Sequence, residues 1–365
     1  MVKRKNKQKK SIKQPRKSKN RYIRTVHEWI GGRVSFPIYI TDVDEPFRPE
    51  AILWLELPEN LIVFDEIIYS GEQDVSFGNT FLTAMKQAPM VGSSRSPTRV
   101  RVADSDLAAQ IRDVVPDMEI VVAPTPELDD VVKSFMQEFE SADIQENVSY
   151  FANGRVSEAS INKLFHTARL LFLAAPWEKI LSDRQILQFD IPALHVKNAC
   201  LAVIGIMGKN MGFMIFPSVA DFARFIHCIE NHDEFDQEFI DLGTSILVLD
   251  FCRATDLPSS LRREAAKHGW PVADTNAYPI VTHRDPDGIP KPLTERDIHI
   301  TTACASALTN FFGKYPDLFQ FGYLIESFKA SFTTEDGIEV WVTVPDKASL
   351  PDDVLDETLE FYTKA

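Results

Sequence analysis

The chain has 365 residues, with 53 acidic and 39 basic side chains, a formal charge of −14, 44% hydrophobic and 25% charged residues. That length exceeds what one hydrophobic core usually holds, so two domains are expected, and the globular composition predicts folding without disulfide or metal staples. Cys200, Cys228, Cys252 and Cys304 show no CxxC spacing, and the longest apolar run, residues 199–207, is about half the roughly 20 residues of a membrane-spanning helix, so a cytoplasmic protein without membrane contact is expected.

The first 24 residues carry twelve cations and no acid: Lys3, Arg4, Lys5, Lys7, Lys9, Lys10, Lys13, Arg16, Lys17, Lys19, Arg21 and Arg24. Taking these twelve from the 39 basic residues leaves 27 against all 53 acidic ones, so residues 25–365 carry −26. A segment this polar cannot bury a core, and residues 1–24 are expected to form a disordered basic arm. No apolar stretch follows it, which is unlike a secretory signal. A flexible polycation binds phosphate backbones by releasing counterions, without reading sequence. Nucleic acid or a ribonucleoprotein is therefore the expected partner, and Tyr22 as the only aromatic of the arm argues for unspecific contact. The alternative is a solvated tail lying against its own acidic body.

In the N-terminal α/β domain, residues 25–142, the runs 52–57 and 61–69 read as strands joined by the turn Pro58-Glu59-Asn60. A helix is expected over 77–86. Residues 98–103 then read as a strand, Ser105 as an N-cap and 106–115 as a helix. The pattern repeats with a strand over 118–123, Thr125 as cap, Pro126 at the first helical position and a helix over 127–139. Parallel strands with helical crossovers follow from this order.

A hairpin, a helix and then a strand-helix-strand-helix run resembles the ribonuclease H-like domains of transposases and nucleases. Such enzymes hold two divalent metals with carboxylates at strand ends. That resemblance implies Glu56, Asp104 and Glu127, or Asp129 in place of Glu127, as a metal-dependent nuclease set. Asp104, Asp106, Glu127 and Asp129 also complement helix N-terminal dipoles, and resident carboxylates there disfavour a phosphate ligand.

Residues 143–158 are polar, contain Asn153-Gly154 and read as a linker to a C-terminal α+β domain, residues 159–365. Ile161, Leu164, Phe165, Ala168, Leu171, Phe172 and Ala175 mark one face of a helix that Pro176 ends, with His166 facing solvent. Residues 200–207 and 211–216 form a second hairpin candidate around Gly208-Lys209-Asn210, followed by a helix with Ser218 and Asp221 as a capping box. Its glycines match neither phosphate-loop pattern. Residues 328–333 and 338–344 read as a third hairpin, and Leu355, Leu359 and Tyr362 as a closing helix. The fold class is therefore α/β or α+β in two domains, the second built of antiparallel hairpins and packed helices.

Pro176-Trp177, the segment GIMGKNMGF at 205–213, the strand 246–251, Gly269-Trp270-Pro271 and the helix over 295–312 are similar to an uncharacterised bacterial family whose members can carry a zinc-binding SEC-C motif. The likeness spans about residues 160–315, with a companion segment over 97–139, and it implies no reaction. The cysteine-rich zinc motif is absent from this sequence.

Other clusters read as architecture. Cys228 and His232 have the spacing of two ligands on one helical turn, beside His227, Asp233 and Glu234, but a zinc site needs three or four ligands. His283, Asp285, Asp287 and Gly288 imitate a calcium loop whose twelfth position is Thr294, with Glu295 one residue late, so a turn is expected. Cys304, near His299, shares a helical stripe with Ile300, Ala303, Ala307, Leu308 and Phe311, which predicts core packing. Asp250 ends an apolar strand without a partner, and Trp177, Trp270 and Trp341 sit near element ends. No GxSxG, HExxH or comparable set is present. No cofactor and no metal are expected, and the reading is a non-enzymatic binding or adaptor protein acting through the arm, with a protein partner also open. The alternative is a metal-dependent nuclease, or a degenerate ribonuclease H-like enzyme, using Glu56, Asp104 and Glu127.

Overall fold

The computed structural model describes residues 26–41, 43, 46–69, 75–87, 96–141, 148–180, 182–205, 208, 210–230, 242–320, 323–324, 326–351 and 354. Two compact units emerge. The first holds the described residues of Met1–Val34, Ile52–Glu66 and Asp74–Asp129; the second holds those of Ser35–Ala51, Ile67–Gln73 and Asp130–Ala365. The basic arm and the expected closing helix lie outside the described residues.

The first sheet is built from β1 (Glu28–Ser35), β2 (Glu50–Glu56), β3 (Leu61–Ile68), β4 (Arg99–Val102) and β5 (Glu119–Val122), in the order β3-β2-β1-β4-β5. β4 runs parallel to β1, and β5 parallel to β4. The Leu57 amide bonds to the Glu28 carbonyl, which sets the end of β2 beside the start of β1 and makes that pair antiparallel. Helices α1 (Phe77–Gln87), α2 (Ser105–Val114) and α3 (Pro126–Ser141) follow β3, β4 and β5 in turn. The mixed sheet and its crossovers agree with the α/β expectation, and β1 adds a strand that the sequence pattern does not signal. α1 and α2 pack so closely that a Cβ at Gly78 would lie 2.3 Å from the Gln110 carbonyl oxygen.

Two expected caps are resolved differently. α2 starts at Ser105, and its cap is Asp104, whose carboxylate accepts the amides of Asp106 and Leu107. The longer acidic side chain, one position earlier, reaches both free amides and complements the helix dipole. α3 does start at Pro126, where a missing amide costs nothing.

In the second unit, α4 (Glu158–Ala174) is followed by β6 (Ile186–Ile191), β7 (Val196–Ile204), β8 (Gly212–Phe216), α5 (Val219–Glu230), β9 (Ile246–Cys252), α6 (Ser259–His268), β10 (Tyr278–Arg284), β11 (Pro290–Lys291) and α7 (Glu295–Lys314). A two-residue ribbon, β12 (Phe319–Gln320) and β13 (Tyr323–Leu324), precedes the hairpin of β14 (Phe328–Thr333) and β15 (Glu339–Val344). The large sheet has the order β11-β10-β9-β8-β7-β6-β15-β14. Every pair is antiparallel.

Alternation explains the apolar run at 199–204. Ala199, Leu201 and Val203 join the main core with residues of α4 and α7, while Cys200 and Ala202 join a second core with Phe222 and Phe225 of α5. Both faces of β7 are therefore covered, so neither parity needs polar residues. Among the described residues no helix is long and apolar enough to cross a membrane.

α4 carries the expected inward stripe and stops where Ala175 takes a left-handed conformation before Pro176. Within the stretch expected as linker, Tyr150 and Val156 are buried in the main core of the second unit. The Glu264 carboxylate holds this segment through the Ser149 hydroxyl at 2.8 Å and the Tyr150 amide at 2.7 Å.

Candidate functional site

The carboxylates suggested by the ribonuclease H-like order fall at different places on the first sheet. Glu56 ends β2 and faces His27 at 3.3 Å, beside the start of β1. Asp104 follows β4, whose register with β1 places it at the opposite strand end, about 15 Å along the strands at roughly 3.3 Å per residue. Glu127, in the first turn of α3, pairs with Arg101, which also bonds Glu28 at 3.1 Å. Burial alone would raise the Glu127 carboxyl, yet the Arg101 hydrogen bond and charge hold it below the usual carboxylate range. The fold thus sets Glu56 apart and leaves Asp104 and Glu127 each committed to another partner.

A cleft of about 460 Å³ opens at the carboxyl ends of β1, β4 and β5, lined by Gly32, Arg33, Asp104, Thr125, Leu128 and Asp129 among others. Here β1 brings Arg33 to the strand end. Two helix starts border the cleft, but Asp104 and Asp129 already answer them, which disfavours an added anion.

The second unit presents a different chemistry, at the edge where β9, β10 and α7 meet. Ser245 immediately precedes β9. His283 lies opposite Leu247, two residues further along β9, so Ser245 and His283 are diagonal neighbours on one face. Ser245 Oγ is 2.8 Å from His283 Nε2. The other ring nitrogen, Nδ1, is 3.3 Å from Asp297 Oδ1. Asp297 is fixed by the capping box of α7: its Oδ2 accepts the Thr294 amide at 2.9 Å and the Thr294 hydroxyl at 2.7 Å. Its remaining oxygen is left for His283. Burial would raise the Asp297 carboxyl, but the adjacent His283 ring and the hydrogen bonds from Thr294 lower it, which keeps it ionised.

This chain of contacts lines a cleft of about 280 Å³ with His195, Lys197 and Arg296, floored by Ala199, Ile215, Leu247 and Ile300. Arg296 donates to the Leu194 carbonyl at 2.9 Å. Among the described residues, neither Lys197 nor Arg296 has a carboxylate partner within salt-bridge distance. The cleft is therefore cationic apart from Asp297.

Residues 14–140 match the family model of a domain of unknown function, DUF6930. That segment contains all five strands of the first sheet. No curated protein matches the chain.

The remaining sequence candidates resolve as follows. Asp285 accepts the amides of Asp287 and Ile289 and the Tyr39 hydroxyl, and Arg48 pairs with both Asp285 and Asp287, so the calcium-like segment is a turn neutralised by arginine. His283 leaves that turn for the strand. Cys304 is buried in the main core, where burial pushes its thiol far up. Asp250 is half-buried, and burial raises it against one bond from the Phe251 amide. Trp177 and Trp270 are buried in the main core, and Trp341 packs under the Lys329 ammonium. His232, Asp233 and Glu234 lie outside the described residues. Among the described residues no three His, Cys, Asp or Glu side chains are grouped to hold a metal ion.

Ser245 and Asp297 carry no signal of a site in the sequence, where His283 reads only as a loop opener. The three lie 38 and 14 residues apart, a spacing that signals nothing until β9 and β10 are known to pair.

Proposed function

We propose that the protein is a non-enzymatic binding or adaptor protein, engaging nucleic acid or a ribonucleoprotein unspecifically through residues 1–24. The observation that carries this reading is the segregation of charge: twelve cations and no acid in the leader, against −26 in the remainder. A polycation tethered to an anionic body is drawn to phosphate backbones, while the body's charge resists close approach of the same polyanion. The leader alone then makes the contact, without base readout. We further infer a cytoplasmic location, and membership of residues 160–315 in the uncharacterised bacterial family noted above.

The test is fluorescence anisotropy of unrelated labelled RNA and DNA oligonucleotides against the full chain and a chain lacking residues 1–24, across a salt series. Weak binding that falls steeply with salt and disappears on truncation is expected. Equal binding by the truncated chain would overturn the reading. A ribonuclease H-like nuclease is the second reading, favoured by the strand order of the first sheet. Magnesium-stimulated cleavage abolished by Asp104→Ala would support it.

A further inference from the structure

We propose that Ser245, His283 and Asp297 act as nucleophile, general base and positioning carboxylate for the hydrolysis of a small ester that carries a negative charge. This goes beyond the binding role of residues 1–24, which stands or falls separately, and replaces the non-enzymatic part of that reading for the second unit.

The connectivity is what nucleophilic catalysis requires. A serine hydroxyl is unreactive until a base withdraws its proton, and the base must present a lone pair to it. Nδ1 is buried without a hydrogen-bond partner and has Asp297 Oδ1 at 3.3 Å, so closing that gap would place the hydrogen on Nδ1 and leave the Nε2 lone pair for Ser245 Oγ, 2.8 Å away. The 3.3 Å Asp297 contact lacks hydrogen-bond geometry here and is of the kind that closes when substrate binds. The Ser245 hydroxyl hydrogen has a second acceptor, the Arg284 carbonyl at 3.0 Å, so the base competes with one main-chain group. Asp297 is rigid because its other oxygen is bound twice by Thr294.

The reaction balances with water as the only co-reactant. Ser245 Oγ bonds to the ester carbonyl carbon as its proton passes to His283 Nε2 and the carbonyl electron pair moves to oxygen. That oxyanion collapses, the bond to the alcohol breaks, and Nε2 returns the proton to the departing alkoxide. Water then repeats the attack on the acyl-serine with His283 as base, releasing the acid and restoring Ser245. Lys197 and Arg296 supply positive charge in the same cleft, where they favour an anionic substrate and a developing oxyanion.

The experiment treats the full chain with a fluorophosphonate probe and locates the label by peptide mass spectrometry. In parallel, hydrolysis of p-nitrophenyl acetate and of the acidic p-nitrophenyl succinate is followed. Label on Ser245, with faster turnover of the succinate ester, is expected. Ser245→Ala and His283→Asn should each lower kcat by about 1,000-fold or more. Asp297→Asn should lower kcat per folded chain, with the folded fraction fixed by circular dichroism, a loss that weakened helix capping alone would not produce. Lys197→Ala should remove the preference for the acidic ester. Absence of label on Ser245 in the wild-type chain, or hydrolysis undiminished in Ser245→Ala, overturns the proposal without requiring any variant to fold differently.

Discussion

The indole of Trp54 fills the space that a side chain at Gly31 would occupy: a Cβ there would stand 2.3 Å from Trp54 Cζ3. Trp54 is fully buried, packs at a tilt against the rings of Phe77 and Phe81, and donates its Nε1 hydrogen to Thr80 Oγ1 at 3.0 Å. A methyl group at position 31 must therefore displace a ring pinned on several sides. Gly31→Ala is expected to destabilise the first unit by about 1–3 kcal/mol, the usual cost of overpacking, and Trp54→Ala by about 3–5 kcal/mol. Urea denaturation followed by tryptophan fluorescence and circular dichroism checks both; a neutral Gly31→Ala would show that the indole can move.

Asp104 spends its carboxylate on the start of α2. Replacing it by alanine leaves the Asp106 and Leu107 amides without their acceptor, and a loss of about 1 kcal/mol is expected. Asp104→Asn should keep most of that stability. Melting curves of the two variants separate capping from a purely electrostatic contribution, because only the latter would penalise both equally.

Asp250 is raised above the ordinary carboxylate range by burial. Its folded form holds a proton more tightly than the unfolded chain, so stability is fullest below the unfolded value and declines as pH rises through the folded one. The ionised carboxylate thus costs stability at neutral pH. Asp250→Asn can keep the bond from the Phe251 amide through its amide oxygen, so the variant should melt higher at pH 7. The difference should shrink toward pH 3, where the native side chain is protonated. An Asn variant that melts lower at pH 7 would sink this account.

Cys200 and Cys304 are buried, and burial pushes both thiols far above their ordinary range, with Asp221 adding to the effect at Cys200. Since the thiolate is the reactive form, both should resist a disulfide reagent in the folded chain and react on unfolding. Thiol titration with and without denaturant, with the modified peptides identified, tests this. Rapid native modification of Cys304 would mean that α7 opens locally.

Much of the architecture was legible as periodicity. The stripe of α4 from Ile161 to Leu171, the hairpin of β14 and β15, and the start of α3 at Pro126 rest on local rules that a linear pattern carries. β1 was not legible: Trp-Ile-Gly-Gly-Arg lacks the alternation of an ordinary strand, because Gly31 is there to admit Trp54 from the neighbouring β2. The cap of α2 was placed one residue late for a related reason, since Asp104 and Ser105 are both good caps and only the backbone decides which stands outside the helix.

Sequence by itself determined the separation of charge along the chain, the scale that calls for more than one core, and the apolar stretches able to supply those cores. These depend on residue types and their order alone. Only tertiary structure decided that Glu56 and Asp104 stand at opposite strand ends, and that Ser245, His283 and Asp297 stand together. The reason is register: pairing of distant strands sets which side chains share a face, and residues far apart in sequence carry no mark of that pairing until the sheet forms.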